Sequence, residues 1–118
     1  MPFTKLNGIE LFYEDQGTGP ALVFLHGAAG NHISWWQQLP AFRDSFRCIA
    51  IDHRGFGQST DPQGESSSRF VDDLALLLDQ RGIDQPALVA QSMGGRSARG
   101  FAVRSPKRVR ALGLAATR

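Results

Sequence analysis

The sequence predicts an α/β protein, a mostly parallel sheet with helices on both faces, opened by an antiparallel hairpin. Three observations predict it. Strand-like and helix-like stretches alternate after residue 20, and such alternation builds parallel sheets with right-handed crossovers. The stretches ALVFLHG, FRCIAID and PALVAQ are continuous apolar runs, the pattern of strands buried on both faces. The length, 118 residues, suits one domain with one core, so the domain is taken as 1–118.

The elements follow in order. In KLNGIELFYEDQG, Leu6, Ile9, Leu11 and Tyr13 alternate with polar residues. Asn7-Gly8 is a two-residue hairpin signal, because both positions tolerate positive φ. Gly17, Gly19 and Pro20 then end the strand, and ALVFLHG is the first buried one. SWWQQLPAF reads as a short helix capped by Ser34, with Pro40 ending or kinking it. FRCIAID is the next strand, and HRGFGQSTDPQGE is a glycine-rich loop. In SSSRFVDDLALLLDQRG, Phe70, Leu74, Leu77 and Leu78 share one helical face. The serines supply an N-cap, Asp72 and Asp73 favour the first turns, and Gly82 marks the stop. PALVAQ, a helix over MGGRSARGFAVRS halted by Pro106, and a last strand in RVRALGLAAT complete the chain.

Composition narrows the function. Hydrophobic residues make up 42%, a globular rather than a disordered chain. No apolar run approaches the roughly 18 residues of a membrane span. The start MPFTKLNGIE lacks an apolar signal region, so a cytoplasmic location is expected. The single Cys48, inside CIAI, reads as a core residue and excludes an internal disulfide. No metal cluster is visible, and GFGQST lacks the lysine of a phosphate-binding loop, so no cofactor is expected. The net charge of +2 hides −5 over residues 1–92 and +7 over residues 93–118. The basic end reads as a solvated helix face rather than a nucleic-acid site.

His26, Asp52 and Ser92 each follow the carboxyl end of a strand, where open parallel sheets do their chemistry. In VAQSMGGR a strand enters, turns at Ser92 and leaves as a helix. A serine on so sharp a turn needs small neighbours, here Ala90 and Gly94, and it is either an exposed nucleophile or an ordinary helix cap. In LHGAAGN the small residues after His26 leave the Ala28 N–H free to meet the Met93 N–H. Two such donors make an oxyanion hole for acyl transfer. His26 itself reads as a loop-pinning residue or, alternatively, a base.

FLHGAAG, IDHRGFGQS and VAQSMGG, in this order and spacing, resemble the α/β-hydrolase family in its esterase and enol-lactonase-like branches. SPKRVRALGLAAT resembles the segment after the nucleophile helix of the same branch. The resemblance implies that Ser92 is the nucleophile, with Ala28 and Met93 as the oxyanion hole. It also implies that Asp52, Arg54, Gly55 and Gly57 brace the edge of the site. Trp35, Trp36 and Gln91 would line the acyl pocket, packing under the loop being the other role of the tryptophans. The substrate class is a small-molecule ester. A serine here argues against dehalogenase and epoxide-hydrolase chemistry, which uses aspartate at this position.

The family order is serine, then an acid, then histidine. After Ser92 the chain has no His, Asp or Glu. It therefore matches a truncated plan that stops after the sixth strand, without cap, seventh or eighth strand. The upstream candidates for a substitute base are His26, His32 and His53, the last beside Asp52, with His26 nearest in principle. The expected function is a slow or rewired esterase-type hydrolase. The alternative is a non-catalytic fragment or a binding or assembly module. The 109–116 segment is an apolar edge strand, and such edges recruit other strands. Sheet faces that the absent helices would cover are expected to expose apolar surface as well, and together these predict a homo-oligomer.

Overall fold

A computed structural model describes residues 3–115. Its six strands form one sheet in the order β1-β2-β4-β3-β5-β6. Strands β1 (Phe3–Leu6) and β2 (Ile9–Gln16) form the predicted hairpin, with Leu6 opposite Ile9. Asn7 and Gly8 turn it at φ 46° and 78°, the doubly positive geometry that Asn-Gly favours. Strand β2 then pairs antiparallel with β4 (Arg47–Ile51). Strands β3 (Ala21–Leu25), β4, β5 (Ala87–Gln91) and β6 (Ala111–Ala115) run parallel.

Both sheet faces are covered over β3, β4 and β5, as the continuous apolar runs require, which corrects the expectation of uncovered faces there; the residues of β6 stay exposed. On one face Val23, Leu25, Ile49, Ile51, Leu88 and Ala90 pack against α2 (Phe70–Gln80) and α3 (Gly94–Arg104). On the other, Phe24, Cys48 and Ala50 pack against Trp35 and Leu39. Burial pushes the Cys48 thiol pKa up, as suits a core residue.

Two capping expectations are corrected. Ser34 is not the N-cap of the Trp-Trp segment but the third residue of a capping box, its Oγ accepting from Asn31 N at 3.3 Å while Asn31 takes the N-cap position. The Asn31 side chain accepts from Ile33 N at 2.8 Å and opens a 3-10 turn over His32–Trp35. The helix α1 follows at Gln38–Phe42. Pro40 is tolerated there because it lies in the first turn, where backbone N–H groups have no intrahelical acceptor. The serines before α2 form a 3-10 turn, Ser66–Arg69, rather than a side-chain cap.

The basic end of the chain is partly neutralised by α2. Arg104 reaches Asp72 at 2.7 Å and Arg108 reaches Asp79 at 2.9 Å. Strand β6 has a partner on one side only. All five of its residues are exposed, including Leu112 and Leu114. Residue 116, at the end of the predicted 109–116 edge, lies outside the described residues.

Candidate active site

Ser92 follows β5 with φ 48°, one of three non-glycine residues with positive φ among those described. Its N–H donates to Ala115 O at 2.9 Å and its carbonyl accepts from Gly95 N at 2.9 Å. These bonds hold the strained turn, and the side chain is left exposed. Small neighbours are needed for steric reasons. A Cβ on Gly94 would overlap Leu25 O and lie 2.9 Å from His26 O. Thus α3 begins directly against the backbone end of β3. A Cβ on Gly27 would lie 3.3 Å from Ser92 Cβ. Ala90, where a glycine is usual, is fully buried and its methyl group is accommodated.

Ala28 is exposed and Met93 half-buried. Neither N–H donates to an oxygen among the described residues. His26 fixes the orientation of the first. Its Nδ1–H donates to Gly27 O at 2.6 Å, and Gly27 O also accepts from Gly30 N at 3.0 Å. The other ring nitrogen, Nε2, accepts from His53 N at 3.0 Å.

These bonds correct the expectation of His26 as a substitute base. Both of its nitrogens are engaged, the ring is fully buried, and burial lowers its pKa below the usual histidine value. His53 is corrected likewise. It is buried, its Nε2 lies 2.7 Å from Ser97 Oγ, and burial, with His26 alongside, pushes its pKa well down. Its Nδ1 has no partner. Asp52 does not orient His53. It is fully buried and accepts from His32 N at 2.6 Å, His32 Nδ1 at 2.8 Å and Gln58 N at 2.8 Å. It braces the loops after β3 and β4. No histidine or carboxylate among the described residues is hydrogen-bonded to Ser92 Oγ.

The tryptophans sit elsewhere too. Trp35 packs on Phe24, with ring centroids 5.1 Å apart, and Trp36 is 67% exposed. Both line a cavity of about 240 Å³ with Glu14, His32 and Arg43. The expectation of an acyl-pocket wall therefore gives way to packing for Trp35. Gln91 is exposed at the end of β5, beside the serine.

Sequence reasoning missed Ser97, which is fully buried on α3 against His53. It also gave Arg54 too small a part. The Arg54 guanidinium is 1% exposed and bidentate to Asp73, through Nε at 2.8 Å and Nη2 at 2.9 Å. It adds Glu65 at 3.1 Å, Asp61 at 3.4 Å and Asn7 O at 3.2 Å, and hydrogen bonding to Asp73 raises its pKa further. The signal was Asp73, a carboxylate on the same face of α2 as Phe70, Leu74 and Leu77.

A nucleophile-type elbow between parallel strand and helix, on a sheet of this strand order, defines a hydrolase architecture. The chain belongs to the alpha/beta hydrolase fold family, whose model matches residues 20–117. It is 44% identical over 111 residues to epoxide hydrolase 2 of Siraitia grosvenorii, covering 90% of this chain and 35% of that protein. It is 44% identical over 94 residues to the non-heme chloroperoxidase CPO-A1 of Kitasatospora aureofaciens, covering 78% of this chain and 34% of that one. Among solved structures, an N-acyl homoserine lactone degrading enzyme superposes with a TM-score of 0.92 at 32% identity, over 98% of this chain and 45% of its own. An epoxide hydrolase mutant of Vigna radiata gives 0.89 at 34% identity, over 95% and 36%. The chain thus spans about a third of the length of these curated relatives and corresponds to part of the family fold. Among the described residues, no helix is long and apolar enough to cross a membrane.

Proposed function

We propose that the chain carries the nucleophile half of an esterase-type acyl-transfer site, with Ser92 as nucleophile and the Ala28 and Met93 N–H groups as oxyanion hole. The observation that carries this reading is the exposed Ser92 at φ 48°, packed against Gly27 of the loop that presents Ala28. Ser92 Oγ bonds to the ester carbonyl carbon and the carbonyl oxygen becomes the oxyanion. The C–O bond to the leaving group then breaks. Water later cleaves the acyl-serine.

The Ser92 proton goes to a solvent base, because no imidazole among the described residues hydrogen-bonds Oγ. Activated aryl esters fit this best, since a phenolate leaves without a proton. Enzymes lacking a triad member retain roughly 10³–10⁴-fold catalysis over water. The alkyl chemistry named for the epoxide hydrolase relatives fits a serine poorly. Attack on an alkyl carbon would leave an ether, which water does not cleave.

The test compares p-nitrophenyl acetate and butyrate hydrolysis by the chain and by Ser92→Ala. The expected result is slow turnover that Ser92→Ala abolishes, and equal rates would remove the nucleophile assignment. A second reading, a non-catalytic assembly module, is favoured by the open β6 edge and its exposed Leu112 and Leu114. In that reading a second copy pairs there, in a soluble cytoplasmic setting. Sedimentation equilibrium at micromolar concentration should then show a dimer, and a monodisperse monomer would sink it.

A further inference from the structure

The two oxyanion donors come from different segments, Ala28 from the loop after β3 and Met93 from the start of α3. Something must hold them in register. A buried chain of hydrogen bonds runs between those segments. Ser97 Oγ on α3 meets His53 Nε2 at 2.7 Å, and the His53 N–H donates to His26 Nε2 at 3.0 Å. His26 Nδ1–H donates to Gly27 O at 2.6 Å. The Gly27–Ala28 peptide is trans, so its C=O and N–H point in opposite directions. Holding Gly27 O towards His26 therefore aims the Ala28 N–H the other way.

We propose that His53 and Ser97 are positioning residues for the oxyanion hole, clamping the nucleophile helix to the loop that presents the Ala28 N–H. This rests on the acyl-transfer reading above. The choice of partners supports it. His26 Nε2 already accepts from the His53 backbone, so its proton is on Nδ1. Ser97 Oγ has no hydrogen-bond partner besides His53 among the described residues. His53 Nδ1 is buried without a partner there in either tautomer.

The ring is otherwise packed against aromatic neighbours, with its centroid 4.3 Å from that of Phe70 and 4.7 Å from that of His26. A phenylalanine would fill this space with no unsatisfied nitrogen. Histidine here therefore sacrifices stability while retaining the clamp, a pattern expected where geometry matters more than burial.

The test is the double variant His53→Phe/Ser97→Ala, which removes the side-chain link of the clamp to α3 and the unpaired nitrogen together, while the backbone N–H of residue 53 still donates to His26. Its thermal midpoint is expected to equal or exceed that of the parent. The acylation rate with p-nitrophenyl acetate should fall about tenfold at unchanged KM, a fraction of the roughly 10²–10³-fold loss from deleting such a donor outright. The Ala28 amide resonance should shift and exchange faster with solvent. His53→Gln, whose amide can still reach Ser97, should restore most of the rate. The proposal is overturned if the Ala28 amide is unmoved, or if rate and thermal midpoint fall together as in a merely structural role. If Ser92→Ala reacts as fast as the parent, the nucleophile reading has failed separately. The Ala28 amide then decides the clamp alone.

Discussion

Replacing Asp73 with Ala is expected to cost about 3–5 kcal/mol, because it leaves Arg54 charged and buried without its bidentate partner. Glu65 and Asp61 also touch Arg54, but through one nitrogen at its outer edge. A loss of this size is comparable to the whole stability of a small domain. Urea denaturation should show a collapsed midpoint, and a change below about 1 kcal/mol would refute the assignment. The paired replacement Arg54→Met with Asp73→Leu should recover most of the loss, since removing both charges of a buried pair is often neutral or stabilising. The pair joins the loop after β4 to α2, so its loss should also loosen the support under the site.

Acidification is the second large effect. His26 and His53 are buried and neutral, and burial lowers both pKa values in the folded state. The unfolded chain takes up protons near pH 6.5 while the folded one does not. Stability is therefore highest above that value and falls as the pH drops from about 6.5 towards the folded pKa values. The slope approaches roughly 1.4 kcal/mol per pH unit for each histidine. Urea midpoints at pH 7.5, 6.5 and 5.5 measure it, and His53→Phe should about halve the slope. A flat profile down to pH 5 would show that both rings protonate freely in the folded state, and half the slope that one does. Asp61 and Asp72, whose pKa values are lowered, act in a separate window. Burial opposes the charge of Asp61, but the Ser66 and Glu65 amides and Arg54 outweigh it. The Asp72 shift comes first from Arg104. Their contributions are present above about pH 4 and are lost only below it.

The architecture was legible in the sequence because it rests on local patterns. Asn7-Gly8 fixes the hairpin, and the continuous apolar runs read as strands covered on both faces. The elbow was legible for the same reason, since Ala90, Ser92 and Gly94 must satisfy a local steric rule. What could not be read was the choice of partner among polar side chains. His53 beside Asp52 suggests a pair, yet successive residues after a strand point to different sides, so one meets His32 and the other Ser97. Ser34 reads as the cap, but the extended backbone falls at Asn31, and that conformation decides which side chain takes the N-cap position. Which of the two roles the tryptophans take could not be read either, because adjacency in sequence says nothing about which flank of the sheet a loop crosses; Trp35 takes the packing role.

The bond from Ser92 N to Ala115 O ties the elbow to the last carbonyl of an edge strand. Edge strands open more often than central ones, in local fluctuations that cost far less than global unfolding. Each such opening releases the amide that holds Ser92 in its strained conformation. The lifetime of the assembled elbow is thus expected to follow the opening of β6, whose five residues are all exposed. Any molecule that latches onto β6 would raise the fraction of time the serine is correctly presented, without ever contacting it.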